Sequence, residues 1–169
     1  DDKAKRIVAE AFPGREIAVQ VWVAEVGRVP LLLLDTDIAE NDAADRPITS
    51  MLYTPGREMR LAQEIVLGVG GARALAELGI EPRVWHMNEG HSALLQFDRL
   101  RRRLEAGEAL EPSLAALRGS SVFTTHTPVP AGNESFDPVL ARKYFTPWCE
   151  SAGVPLERWM ALGNNDLGE

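Results

Sequence analysis

The sequence predicts an α/β fold, and three observations carry that prediction. Apolar residues at Ile17, Val19, Val21 and Val23 alternate with other residues, the period of a half-buried strand. Leu61, Ile65, Val69, Ala72 and Leu75 instead recur at helical spacing. The third observation is the pair "RVWHM" and "SVFTTHT", two short strand patterns separated by helical sequence. Strand, helix, strand spacing of this kind argues for parallel neighbours joined by a right-handed crossover.

Taken in order, the chain opens with an amphipathic stretch, "AKRIVAEAF", that ends at the breaker pair Pro13-Gly14. The alternating strand follows in "EIAVQVWVAEV", and Gly27-Arg28 reads as a hairpin turn into "VPLLLLD". That unbroken apolar run suits a strand covered on both faces. The acidic segment 37–47, "DIAENDAADRP", lacks periodicity and is expected to be an exposed, loosely held loop. A long helix is expected from Arg57 to Leu78. Gly68, Gly70 and Gly71 lie inside it, each costing about 1 kcal/mol against Ala, so close packing is the expected offset. They sit inside a helix pattern instead of opening one after a strand, so they do not form a phosphate-binding loop. A helix from Gly90 to about Glu105 and a helical turn at "PSLAALRG" separate the two short strands. The tail reads as short helices broken at Pro147 and at Gly153 to Pro155.

A length of 169 residues suits one domain or a large piece of one. Lys and Arg total 18 against 25 Asp and Glu, a net charge of −7, and nucleic acid is excluded as a general partner on that balance. The single cysteine, Cys149, forms no internal disulfide and no cysteine-based metal cage, which favours a reducing, cytoplasmic setting. No apolar run approaches the roughly 18 residues that span a bilayer, so no membrane partner is expected.

Ligands of open α/β sheets bind outside the carboxyl ends of the strands, and two polar clusters fall there. His86, Asn88, Glu89 and His91 leave the first short strand; Thr124, Thr125, His126 and Thr127 leave the second and enter a loop containing Pro128 and Pro130. If the strands are neighbours, both clusters open on one crevice. Asn, Glu and His supply the donors and acceptors that sugar hydroxyls need, and Glu89 could orient His126 or His91 by accepting a ring N–H. Blander roles stand beside these. Asn88 and Gly90 could simply make the turn, Glu89 could favour a helix dipole, His91 could be solvated, and His126 could bond only to backbone. His86, inside the strand, is read as a hydrogen-bonded edge or core residue. The His86 to His91 spacing is one residue off the i, i+4 pair of a helical zinc site, so no metal is expected.

The segments "VGRVPLLLLDTDIAEN", "REMRLAQEIVLGVGGARALAELGIEP", "VWHMNEGHSAL" and "VFTTHTPVPAGNESFD", in that order, resemble the bacterial branch of the α-glucan (glycogen, starch, maltodextrin) phosphorylases. The resemblance covers most of residues 20–145 and is thinnest over 1–15 and 146–169. Leu94 and "FDRLRRR" depart from the family pattern on helix faces. The resemblance implies a Rossmann-like parallel sheet with flanking helices, part of the N-terminal domain of a two-domain GT-B enzyme. It also implies that the whole enzyme is a retaining glycosyltransferase, releasing glucose 1-phosphate from terminal α-1,4-glucosyl units with inorganic phosphate and pyridoxal phosphate. His126 then resembles the family histidine that contacts the transferred glucosyl unit. Glu89 resembles the acidic residue lining that pocket, with Asn88, His91 and Thr125 beside it as substrate-binding residues. No counterpart of the cofactor lysine is found among Lys3, Lys5 and Lys143, so residues 1–169 read as a fragment without the C-terminal cofactor-binding domain. Such a fragment is expected to be inactive, to bind no cofactor itself and to carry no catalytic residue. It is also expected to expose apolar surface where other parts of the protein pack. Its expected partners are α-1,4-glucan, inorganic phosphate and its own C-terminal domain, and a homo-oligomer is compatible with the reading. A stand-alone sugar-binding or regulatory module, and a GT-B enzyme using a sugar nucleotide, are the rival readings.

Overall fold

The computed structural model describes residues 5–9, 11–52, 54–128 and 134–163. It is a mixed α/β arrangement with two sheets. The amphipathic opening stretch is a strand, β1 (Lys5–Ala9), paired antiparallel with β2 (Ile17–Val26), which pairs antiparallel with β3 (Val29–Asp35). The β2–β3 turn places Gly27 at φ 64°, the left-handed conformation that glycine adopts without steric cost. A parallel pair, β4 (Trp85–Asn88) and β5 (Ser121–Thr124), forms the second sheet. The parallel neighbours expected from the sequence are therefore present, while the larger sheet is antiparallel because hairpin turns, not helices, connect its strands.

The expected long helix is a continuous helical path in three parts: α1 (Arg57–Ile65), a π-helical turn (Val66–Gly70) and α2 (Gly71–Glu77). The glycines explain the path. A Cβ at Gly68 would lie 2.7 Å from the backbone N of Leu95, so this glycine admits the start of α3 (Leu95–Glu105). Gly70 instead faces the sheet, with Ala9, Ile7 and Leu34 at 3.7–3.9 Å from the same hypothetical atom. Helix α4 (Leu110–Gly119) leads from α3 to β5.

The main core lies between β1–β2 and these helices. Ile7, Val19, Val21, Leu61, Ile65, Val69 and Leu100 are buried there. Helix α5 (Pro138–Ala152) adds Tyr144, Phe145 and Trp148, and α6 (Leu156–Leu162) adds Trp159. Phe97 of α3 joins this aromatic group, 3.7 Å from the Trp148 ring and 4.6 Å from the Trp159 ring, centroid to centroid.

Three sequence expectations are corrected. Pro147 does not break the tail, because the buried aromatic residues on either side of it hold α5 helical; the break comes at Gly153, φ 67°. Segment 37–47 is mostly exposed yet firmly pinned. Asn41 is buried and pairs through its side chain with the N–H and C=O of Ala18, and Asp45 accepts two 2.9 Å bonds from Arg15. Strand β3 is not covered on both faces. It is a sheet edge, and Leu31 and Leu33 are exposed on the face they share with Trp22, Val26 and Val29. The expected uncovered apolar surface lies there.

Candidate functional site

The parallel register pairs Asn88 with Thr124, so the two polar clusters leave adjacent strands at the same end. The two polar clusters anticipated from the sequence are thus neighbours. Their hinge is Glu89. The Glu89 N–H donates to the Thr124 carbonyl at 2.8 Å, continuing the ladder one residue, and the backbone then turns at φ 60°, ψ −179° into a 3₁₀ turn, Gly90–Ser92. A non-glycine residue held there stores about 1–3 kcal/mol of strain.

The Glu89 carboxylate explains how that turn persists. It is buried, and Oε1 accepts the backbone N–H groups of His126 at 2.6 Å and Thr127 at 3.0 Å, and the Thr127 hydroxyl at 3.0 Å. The Thr125 hydroxyl donates to Oε2 at 3.2 Å. Foremost the His126 N–H, and then the threonine donors, hold the carboxyl below its ordinary range, against the opposing effect of burial. Glu89 therefore takes no histidine ring N–H. That expectation is corrected: the second loop wraps its backbone onto the carboxylate, and other groups orient the rings.

The His126 ring belongs to Asn88. Nε2 lies 2.6 Å from Asn88 Oδ1, an acceptor only, so Nε2 carries the proton and Nδ1 is left to accept. Both side chains are exposed at the strand ends, as is Thr125. His86 bonds through Nε2 to the Thr124 hydroxyl at 2.6 Å, which makes it a hydrogen-bonded edge residue. Pro130 and Asn133 of the second loop lie outside the described residues.

His91 meets residues that sequence reasoning did not single out. Arg60 Nη2 is 2.7 Å from His91 Nδ1, and Glu64 Oε1 is 4.0 Å from the same nitrogen. Arg60 also faces Glu64 and Glu134, at 3.4 Å and 3.6 Å from its Nε. Glu64 is only 5% exposed, and burial foremost, with Glu134 adding to it and Arg60 opposing, pushes its carboxyl up to about 7. The one sequence signal was the i, i+4 spacing of Arg60 and Glu64, which looks like an ordinary surface pair.

A concavity of about 980 Å³ lies elsewhere. It is lined mainly by aliphatic residues such as Leu32, Leu34, Val66, Leu75 and Val84, and it takes in Arg60 and His86 but not Asn88, Glu89, His91 or His126. Volume favours the groove; the converging donors and acceptors are at the strand ends. Among the described residues, no group of three or more His, Cys, Asp or Glu is placed to hold a metal ion.

No protein-family model matches the chain. It is 43% identical over 162 residues to a glycogen phosphorylase of Mycobacterium tuberculosis, an alignment covering 89% of this chain and 19% of that protein. It is 40% identical over 163 residues to a maltodextrin phosphorylase of Thermococcus litoralis, covering 96% of this chain and 19% of the relative. The chain is a segment related to the glycogen and maltodextrin phosphorylases. A third such relative, a glycogen phosphorylase of Aquifex aeolicus, is 32% identical over 145 residues, covering 86% of this chain and 21% of its own. The chain thus spans about a fifth of the length of the phosphorylases it matches.

Lys5 donates to the Glu77 carbonyl, and Lys143 is paired with Glu58. Lys3 lies outside the described residues. No helix among the described residues is long and apolar enough to cross a membrane.

Proposed function

We propose that this chain forms the glucosyl-contacting part of an α-glucan phosphorylase, within the N-terminal domain of a GT-B enzyme. The whole enzyme would transfer terminal α-1,4-linked glucose from a glucan to inorganic phosphate, giving glucose 1-phosphate. One observation carries the reading: Asn88 and Glu89 meet Thr125 and His126 at the ends of two adjacent parallel strands. Similarity to glycogen and maltodextrin phosphorylases supplies the substrate class.

The roles divide by geometry. His126 contacts the glucosyl unit, with Nδ1 free to accept a sugar hydroxyl while Asn88 holds the opposite edge of the ring. Thr125 and His91 supply further polar contacts. Glu89 acts mainly from behind, since three donors saturate Oε1 and only Oε2 keeps room for another hydroxyl. Preorganisation by a buried carboxylate fits a site that must hold a polyhydroxyl ligand within a few tenths of an ångström.

Pyridoxal phosphate, on this reading, is held by the C-terminal domain outside these 169 residues, and no step passes through it here. The isolated chain accordingly turns over no glucan, and its partners are glucan, phosphate and the remainder of its own polypeptide in the cytoplasm. The test is phosphate-dependent release of glucose 1-phosphate from maltodextrin by the whole protein, native and His126→Ala. A large loss of kcat/KM in the variant is expected. Unchanged kcat/KM would remove His126 from the site, and no phosphorolysis by the native protein would replace the enzyme with a sugar-binding module.

A further inference from the structure

The group around Arg60 gives His91 one defined proton arrangement. An arginine side chain donates hydrogen bonds and accepts none, and it stays protonated at any working pH. Arg60 Nη2 lies 2.7 Å from His91 Nδ1, a distance that requires a lone pair on that nitrogen. The ring proton must then reside on Nε2. We propose that Arg60 is a positioning residue that locks His91 as its Nε2–H tautomer, so that His91 presents a donor, not an acceptor, away from helix α1.

The surroundings support a dedicated arrangement. Arg60 Nε lies 3.4 Å from Glu64 and 3.6 Å from Glu134, ion-pair contacts without a hydrogen bond, and Glu134 also pairs with Arg57. Glu64 is the alternative partner. Its Oε1 is buried without a hydrogen bond and lies 4.0 Å from His91 Nδ1. Were Arg60 absent, that oxygen would compete for an Nδ1–H and the opposite tautomer would gain population. Burial raises the Glu64 carboxyl to about 7, as expected of an acceptor that lacks an aligned donor. On the proposed glucosyl site, His126 would offer an accepting Nδ1 and His91 a donating Nε2. This complementarity matches a sugar hydroxyl, which both gives and takes a hydrogen bond. The functional meaning rests on the proposed glucosyl site; the tautomer itself does not.

The test is nitrogen NMR on protein labelled selectively with 15N-histidine. The His91 signals are assigned by their loss in His91→Gln. In the native protein, Nδ1 should resonate as an unprotonated and Nε2 as a protonated ring nitrogen. In Arg60→Met, which keeps an apolar stem but no donor, the two should move toward averaged values, and Arg60→Lys should restore part of the native pattern. Dispersed indole proton signals in the one-dimensional proton spectrum report whether each variant is folded. Native averaging, a protonated Nδ1, or a native-like pattern in folded Arg60→Met would each overturn the proposal. If Arg60→Met does not fold, Arg60→Leu takes its place, and native averaging or a protonated Nδ1 still overturns the proposal. These readouts stand apart from turnover, so a failed glucan assay leaves them intact and the converse also holds.

Discussion

Replacing Gly68 with Ala tests how the turn that carries His91 is seated. In a helix interior the substitution alone should stabilise by about 1 kcal/mol, since alanine loses less backbone freedom. Here the new Cβ would stand 2.7 Å from Leu95 N and 2.8 Å from Leu94 C. Both are backbone atoms and neither can swing aside, so the start of α3 must move away from the π turn. Overpacking of this kind costs about 1–3 kcal/mol, and contact with backbone places it at the upper end. The net expectation is a loss of about 2 kcal/mol. Gly70→Ala is the internal control. Its Cβ would meet only Ala9, Ile7 and Leu34 side chains at 3.7–3.9 Å, ordinary contact, so the propensity gain of about 1 kcal/mol should survive. The two variants should therefore differ by about 3 kcal/mol, or roughly 6–12 °C in Tm for a chain of this size. Urea unfolding followed by tryptophan fluorescence, with thermal melts by circular dichroism, measures both. A Gly68→Ala protein as stable as the native one would refute the reasoning, as would a Gly70→Ala protein that falls with it.

Three further outcomes are expected. Glu89→Gln should loosen the 125–127 loop, because a neutral amide oxygen accepts the His126 and Thr127 N–H groups and the Thr127 hydroxyl less strongly than a carboxylate oxygen, and an NH₂ replaces the oxygen that accepts from Thr125; amide exchange at His126 and Thr127 should quicken. The depressed folded value of Glu89 gives the sign: its contribution is full above the ordinary carboxylate range and is lost as pH falls through the folded value, and the variant should lack that acid-side loss. Glu64 runs oppositely. Its carboxyl rises to about 7 on folding, so stability is greatest below the ordinary carboxylate range and declines as pH climbs toward about 7, and Glu64→Gln should flatten that decline in urea titrations. Asp98→Asn should destabilise by about 3 kcal/mol, since the fully buried carboxylate binds Arg73, Arg101 and Arg102; the value falls at the low end for buried pairs because Arg102 is partly exposed and can turn to water. Equilibrium unfolding at neutral pH checks it, and a change within error would reduce the cluster to a surface network.

The adjacency of the two polar clusters was legible because its determinants are local. Polar residues placed just after two short strand patterns declare a strand end, and parallel pairing then needs only the intervening helices to bring the ends together. Pairing between the clusters was not legible. Whether Glu89 takes a ring N–H or a backbone N–H depends on how residues 125–127 fold over it, and Asn88 wins the His126 ring through a cross-strand neighbour relation that sequence spacing does not encode. The helix offered a similar division. Its glycines were legible as sites of close approach, but two partners were involved: Gly70 faces the sheet and Gly68 faces backbone of the following helix.

Arg60 and Glu64 stayed hidden for a physical reason that extends to β3. Charge pairs at i, i+4 usually sit in solvent, and only tertiary placement of the Gly90–Ser92 turn against α1 buries Glu64 and aims Arg60 at His91. The apolar run of β3 errs in the other direction, promising burial that these residues do not supply. Leu31 and Leu33 leave one face of the sheet open, and an aliphatic groove of about 980 Å³ borders the other. Exposed apolar surface on this scale is what an internal interface looks like from one side. On the proposed reading the remainder of the phosphorylase covers it, and the run then obeys the rule that predicted it: strands without polar alternation belong between two layers.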